Sequence, residues 1–211
     1  MAKIVDKKKK RSEIRDAALE IFARKGFENT TVQEIADKAN ISKGTIYLYF
    51  KTKEDILDAA SQEILQQLEE DILGAAEGLT DPFDKLSALI SEALNITPEF
   101  EQIFTVHMEI RLFHLRNKAY EKVIRHLKRT LAKFRTIVSE IIEQGRNQGV
   151  FRIDVDAEAL AICLLGIVDG IVMQYLHDKS DFSIQDVRDE FLKNFFNGLM
   201  AEDHQAEICN N

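Results

Sequence analysis

The chain has 211 residues, of which 45% are hydrophobic and 30% are charged, an ordinary balance for a soluble protein that buries a core. Two prolines, nine glycines and no tryptophan leave little material for a turn-rich β fold. The two cysteines, Cys163 and Cys209, are far apart and lack the spacing of a disulfide framework or a metal site. We therefore predict a helical protein of a reducing cytoplasm, with no metal and no cofactor.

The net charge of −8 is unevenly distributed. Residues 1–53 contain 13 Lys and Arg against 7 Asp and Glu, whereas residues 54–211 contain 15 against 29. A basic segment on an acidic remainder indicates a polyanionic partner for that segment alone. Chance clustering of solvated lysines is the alternative explanation. The basic N-terminus is not followed by an apolar segment, so no signal peptide is predicted.

Apolar residues recur at helical spacing along the chain, which predicts an all-α fold of about nine helices. The first helix is expected to end at Gly26, a residue typical of left-handed helix ends. Thr30 or Thr31 then caps a short second helix, Ser42 caps a short third helix, and Thr52 precedes a long fourth helix. The predicted ranges of the fourth and later helices are 53–77, 82–95, 98–116, 117–147, 156–178 and 184–201.

Two segments between and within these helices stand out. Residues 150–153 alternate in polarity, but no strand partner for them is evident. The longest apolar stretch, residues 159–176, is slightly short for a membrane span and has Asp169 at its centre, where a charge is costly in lipid. A helix that is apolar on all sides in a soluble protein is buried in a core or an interface, so no membrane contact is predicted.

The second and third helices are each too short to be stable alone, and only a few residues join them. This arrangement is typical of a helix-turn-helix motif, whose second helix presents its N-terminal residues to the major groove of DNA. Ile46 and Phe50 are expected to attach this helix to the first one. A glycine in the motif permits close approach of the backbone, and hydroxyl and ammonium groups suit phosphate oxygens. The DNA contacts predicted from these residues are Lys43, Gly44, Thr45, Tyr47, Tyr49 and Lys53.

The stretch FENTTVQEIADKANISKGTIYLYFKTKEDIL, residues 27–57, resembles the DNA-binding segment of the TetR family. The resemblance is close over about residues 10–60. It implies a homodimer on a pseudo-palindromic DNA operator, with a ligand cavity in each C-terminal domain. It also implies DNA contacts by Thr31 and Ser42, besides the residues named above. Leu48 occupies the variable position between the two tyrosines, where its side chain contacts either a base or only solvent; we include it among the predicted DNA contacts. The expected domains are a three-helix DNA-binding head over residues 1–53 and a ligand-binding and dimerisation domain over residues 54–211.

Residues 103–127 combine apolar side chains with a few polar ones, as a ligand site requires. His107 and Arg111 are four residues apart on one helix face, and Arg suits a carboxylate or phosphate. The predicted ligand-binding residues are Phe100, Phe104, His107, Met108, Arg111, Phe134 and Met173. The Glu109-Ile110-Arg111 sequence and the basic residues after it (Lys118, Lys122, Arg125 and Lys128) are similar to the fatty-acid-metabolism repressors of the family. This implies an amphipathic effector, with a long-chain acyl-CoA first. A solvated basic face beside plain core phenylalanines is the alternative.

The last two helices are predicted to form the dimer, because one chain of this size hardly buries both of them. Gly166 and Gly170 would permit close approach of a partner helix, although packing within the chain explains them equally well. The predicted interface residues are Leu164, Val168, Ile171, Val172, Tyr175, Phe191, Phe195 and Leu199.

Catalysis is not predicted, because the sequence has no phosphate-binding loop, zinc-protease motif or nucleophile elbow. His107 and His114 are seven residues apart, too far for one metal ion. The predicted function is a ligand-responsive transcriptional repressor that its effector releases from the operator. The alternatives are a helical adaptor that does not bind DNA and a multidrug-efflux regulator with a different hydrophobic ligand.

Overall fold

The computed structural model describes residues 7–117 and 120–201, without the side chains of residues 99, 103, 113, 116 and 117. Within this part of the chain the fold is all-α, with nine helices, which confirms the predicted class. The helices are α1 (Lys7–Lys25), α2 (Val32–Lys38), α3 (Lys43–Tyr47), α4 (Lys53–Ala75), α5 (Pro82–Ala93), α6 (Pro98–Asn117), α7 (Glu121–Asn147), α8 (Ala157–His177) and α9 (Ile184–Leu199).

The short helices begin and end where local hydrogen bonding predicts. Gly26 has φ +84° and closes α1, as expected for a left-handed helix end. Thr31, rather than Thr30, caps α2: its side chain accepts from the Glu34 amide while the Glu34 carboxylate accepts from the Thr31 amide. Thr30 is buried and donates its hydroxyl to the Gly26 carbonyl at 2.8 Å. Ser42 caps α3 by accepting from the Thr45 amide at 3.1 Å.

The chain divides into two compact units, and the first contains residues up to 68 together with residues 97–129. Its core joins α1, α2 and α3 to α6: Val106 and Ile110 of α6 belong to the same buried cluster as Phe22, Ile35 and Ile46. The division therefore does not follow the boundary expected after residue 53. The apolar face of α1 is wide enough to pack against α6 as well as α2, so part of the later chain folds with the head.

The second unit contains residues 69–96 and those from 130 onward. Phe196 of α9 packs against Phe83 of α5 with ring centroids 4.3 Å apart, and Phe151 is almost fully buried in this unit. Phe151 also forms an isolated antiparallel bridge with Met200. The segment 150–153 therefore has a pairing partner, the chain just after α9, and the expectation of no partner was wrong.

The apolar helix α8 is only partly covered within the chain. Leu164 and Val172 are buried, whereas Ile162, Ile167 and Met173 are 48%, 42% and 50% exposed. In the described part of the chain α8 is the one helix long and apolar enough to cross a membrane, judged by length and composition alone. One side of α8 thus belongs to the core of the second unit, and its other side presents apolar surface.

We expect Gly145→Ala to destabilise the protein by about 1–3 kcal/mol, the usual cost of overpacking a core. A Cβ atom at Gly145 in α7 would overlap the ring of Phe151, which is itself buried. Gly74→Ala in α4 is the matched control, since a Cβ there meets no atom within 4 Å. The control should leave stability unchanged or raise it by at most about 1 kcal/mol. Urea denaturation measures both, and equal stability of the two variants would contradict this packing.

Candidate functional site

The short helix α3 is anchored on one side and open on the other. Ile46 and Phe50 are 1% and 2% exposed and belong to the buried cluster of the first unit. On the opposite side Tyr47 is 48% exposed and Leu48 is 81% exposed. Two buried side chains are therefore enough to hold the five-residue helix α3 in place. The remaining surface of α3 is available for binding.

The backbone at the start of α3 is unusually accessible. A Cβ atom added to Gly44 would meet one neighbour, the Ser42 hydroxyl oxygen, at 3.8 Å. Gly44 lies in an ordinary helical conformation, so neither φ nor packing within the chain requires glycine there. The absence of a side chain is instead compatible with close approach by another molecule.

Several predicted DNA contacts already have partners in the fold. The hydroxyls of Thr31 and Ser42 cap α2 and α3, and the Ser42 hydroxyl is also 2.9 Å from that of Thr45. The side chain of Tyr49, another predicted DNA contact, packs partly against the buried cluster. Its carbonyl accepts a hydrogen bond from Arg11 at 3.1 Å. Tyr49 thus acts partly as a packing residue, because the chain turns back toward α1 after Tyr47.

Lys53 differs most from its predicted role as a phosphate contact. Its ammonium group donates to the carbonyls of Phe27, Glu28 and Thr30 at 2.7, 3.3 and 2.9 Å. The same group lies 4.2 Å from the centroid of the Phe27 ring. An ammonium group has three donors, and all three are used here. Lys53 therefore fastens the start of α4 to the turn between α1 and α2, and its contact with a DNA phosphate stays a prediction.

Ion pairs use part of the positive charge of the N-terminal segment. Lys25 pairs with Glu34, and Lys38 pairs with Glu20. The Lys25 ammonium, followed by hydrogen bonds from Thr31, lowers the pKa of Glu34 to about 2. In the part of the chain that the structure describes, Lys43 and Lys51 are exposed and have no ion pair. The cations that remain available near α3 are thus fewer than the composition suggests.

Helix α6 brings together five of the seven predicted ligand residues. The rings of Phe100 and Phe104 lie 5.8 Å apart, and Arg111 Nη1 is 3.8 Å from Met108 Sδ. His107 is buried, and its Nε2 atom has no hydrogen-bond partner among the described residues. Burial, and then the charge of Arg111, lowers the pKa of His107 to about 4, so its ring is neutral at pH 7.

The other two predicted ligand residues, Phe134 and Met173, belong to the second unit. Met173 is half exposed. Of the basic residues, Lys122 pairs with Asp55, Arg125 and Lys128 are exposed, and Lys118 lies outside the described residues. Five of the predicted ligand residues therefore share one helix, and the whole predicted set stays a prediction.

Comparison with known proteins identifies the family. The model of the bacterial regulatory proteins of the tetR family matches residues 14–60, and that of the YsiA-like protein C-terminal region matches residues 61–198. The chain belongs to the TetR family of bacterial regulatory proteins. It is 28% identical over 195 residues to the HTH-type transcriptional repressor KstR2 of Rhodococcus jostii, which covers 91% of this chain and 92% of that protein. The chain is accordingly a transcriptional regulator and not an enzyme.

Two solved structures show the same fold. A protein from Saccharomonospora viridis in complex with choline has a TM-score of 0.80 at 24% identity, covering 91% of this chain and 98% of that chain. FadR from Bacillus subtilis in complex with stearoyl-CoA has a TM-score of 0.74 at 23% identity, covering 89% of this chain and 98% of that chain. At these identities the likeness establishes the TetR fold and nothing about the ligand of this chain.

The predicted dimer residues of this TetR-family chain fall into two groups. Leu164, Val172 and Leu199 are each 2% exposed or less, because they pack inside the second unit. These three side chains have almost no exposed surface within the chain, and their place in the interface stays a prediction. The partly exposed members of the predicted set are Val168, Ile171, Tyr175, Phe191 and Phe195.

We expect Lys53→Ala to destabilise the protein by about 2 kcal/mol, because it removes three charge-assisted hydrogen bonds to the carbonyls of the turn. Lys51→Ala is the matched control, since Lys51 is exposed and has no ion pair among the described residues, and it should change stability by less than about 0.5 kcal/mol. Thermal and urea denaturation compare the two variants. If both had wild-type stability, the ammonium of Lys53 would not hold the turn.

Proposed function

We propose that this chain is a sequence-specific repressor that binds a pseudo-palindromic operator as a homodimer in the bacterial cytoplasm. The observation that carries the proposal is helix α3, which is anchored by Ile46 and Phe50 and exposes Gly44, Tyr47 and Leu48. The membership of the TetR family and the likeness to a named repressor support it. A helix anchored on one side and open on the other suits insertion into the major groove.

The exposed residues divide by chemistry. Lys43 and Lys51 are cations suited to phosphate oxygens, which supply affinity without reading sequence. The Tyr47 hydroxyl suits a phosphate or a base edge, and the apolar Leu48 suits a thymine methyl group. The absence of a side chain at Gly44 allows the start of α3 to lie close to the major groove of DNA. The proposed DNA contacts are thus most of those predicted from the sequence, with Lys51 as a phosphate contact in place of Lys53.

The proposed dimer uses the uncovered side of α8. Ile162, Ile167 and Met173 together form exposed apolar surface on this helix. Apolar surface of this kind marks an interaction site more often than a solvated one. A second copy of α8 covers it in a two-fold dimer, which also places two copies of α3 on one operator.

We expect Lys43→Ala to weaken binding to the operator and to reduce the slope of log affinity against log salt by about one unit, because one phosphate contact is lost. Lys193→Ala removes the same charge from an exposed residue of the second unit and is the matched control. Fluorescence anisotropy with the DNA upstream of the coding region measures both variants over a range of salt. Equal slopes for both variants would contradict the placement of Lys43 on DNA, and no specific binding by the wild type would favour the helical adaptor.

The proposed effector is an amphipathic anion, with a long-chain acyl-CoA as the first candidate. On α6 the neutral, unpartnered His107 and the cationic Arg111 lie beside Phe100, Phe104 and Met108. Guanidinium groups suit phosphates and carboxylates, and the aromatic and thioether side chains suit an acyl chain. FadR of Bacillus subtilis, which shares the fold, binds stearoyl-CoA. Arg111 disfavours a small cation such as the choline bound by the other structural relative.

We expect Arg111→Ala to keep operator binding and to lose at least about tenfold in affinity for palmitoyl-CoA, since a charge-assisted contact contributes about 1.5–3 kcal/mol. Arg135→Ala, which removes an exposed arginine from α7, is the matched control and should bind palmitoyl-CoA like the wild type. Isothermal titration calorimetry measures the affinities, with choline and a neutral hydrophobic drug as competing ligands. Tighter binding of either competitor by the wild type would overturn the acyl-CoA proposal.

A further inference from the structure

The turn between α1 and α2, residues 26–31, is held by side chains from three later parts of the first unit. The amide of Phe27 donates to both carboxylate oxygens of Glu109 in α6, at 3.1 and 3.0 Å. The carbonyl of Phe27 accepts from Lys53 at the start of α4. The hydroxyl of Tyr120, which precedes α7, donates to the carboxylate of Glu28. This turn is thus the point where α4, α6 and the start of α7 meet the DNA-binding helices.

The Phe27 side chain makes the turn a rigid part of the head. Phe27 is 1% exposed, and its ring contacts the rings of Phe22 in α1 and Tyr120, each with centroids 5.1 Å apart. Burial, and then the hydrogen bond to Glu28, raises the pKa of Tyr120 above its usual range, so its hydroxyl keeps its proton and remains a donor. A displacement of the Phe27 amide is therefore transmitted to α1 and α2, because the turn is packed against them.

The turn is also shaped to accept a carboxylate. Gly26 has φ +84°, and a Cβ atom on it would lie 3.0 Å from Oε1 of Glu109. Glycine is needed there both for its backbone conformation and for the space that the carboxylate occupies. Glu109 is 82 residues from Phe27 in sequence, so the contact exists only because α6 packs on α1.

Glu109 lies two residues from His107 and two residues from Arg111. In an α-helix this spacing turns a side chain by about 200°, so Glu109 lies on the side of α6 opposite to both residues. Helix α6 accordingly holds the DNA-binding head with one side and presents the proposed effector residues on the other. A ligand that moves α6 by even about 1 Å lengthens the bonds to Phe27 beyond hydrogen-bonding distance.

We infer that Glu109 is a positioning residue that couples effector binding to DNA binding, an inference that rests on the proposed function. In the effector-free state its carboxylate holds the Phe27 turn, and with it α2 and α3, in the arrangement that binds the operator. Effector binding on the other side of α6 draws Glu109 away from Phe27 and releases the head. Glu109 itself contacts neither the effector nor DNA.

The test is Glu109→Gln, which keeps the shape of the side chain and removes its charge. Glu121→Gln, at the exposed first residue of α7, is the matched control. We expect the Glu109 variant to bind the operator about tenfold more weakly without effector, because the Phe27 amide then donates to a neutral carbonyl oxygen and loses the stronger bond to a charged carboxylate. Its operator affinity should change less than about twofold on adding palmitoyl-CoA, against the 5–150-fold typical of allosteric coupling for the wild type. Its affinity for palmitoyl-CoA without DNA should match that of the control.

Amide hydrogen exchange of Phe27 in the wild-type protein provides a second measurement that needs no variant. We expect slow exchange without effector and faster exchange with palmitoyl-CoA. Wild-type operator affinity in the Glu109 variant, loss of its acyl-CoA binding, or Phe27 exchange unchanged while the effector releases DNA would each overturn the inference. If palmitoyl-CoA does not act on the wild type, the proposed effector fails. In that case the role of Glu109 is still tested by comparing the operator affinities of Glu109→Gln and Glu121→Gln without effector.

Discussion

The burial of Ile46 and Phe50 against α1 is the constraint on which the rest of the molecule depends. A helix of five residues has no stability of its own, so α3 exists only because these two side chains join a core built mainly by other helices. The same anchoring leaves Tyr47 and Leu48 in solvent. Exposure of the binding residues is thus a direct consequence of how little of α3 the core uses.

The core that anchors α3 extends beyond the helix-turn-helix motif. Val106 and Ile110 reach it from α6, so the helix carrying the proposed effector residues is also a structural neighbour of the head. Polar contacts add direction to this packing, because Glu109 accepts from the amide of Phe27 and Lys53 donates to the carbonyl of the same residue. Hydrogen bonds of this kind are broken by small displacements, whereas apolar contacts tolerate them. The combination suits a head that stays folded while its position changes.

The lysines of the DNA-binding head fall into two groups, one that stabilises the fold and one that is exposed near α3. Lys25 and Lys38 are neutralised by Glu34 and Glu20, so they stabilise the head rather than attract DNA. Lys43 and Lys51 keep their charge exposed near α3. A lysine that forms an ion pair within the fold and a lysine that is exposed near α3 are indistinguishable in the sequence. Only their neighbours in the structure distinguish them.

The sequence by itself determined the helices and the motif, because caps and apolar spacing are local. Gly26 and Ser42 mark helix ends through hydrogen bonds within four residues and were predicted from the chain alone, whereas the choice of Thr31 over Thr30 as the second cap came from the structure. The family followed from the contiguous stretch around α2 and α3. The tertiary structure alone decided the contacts of Lys53 and Glu109, whose partners lie 26 and 82 residues away in the chain. It also decided that Leu164 is buried while Ile162 is exposed. Both residues lie on a helix that is apolar on every side, so only the neighbouring helices select which face points inward.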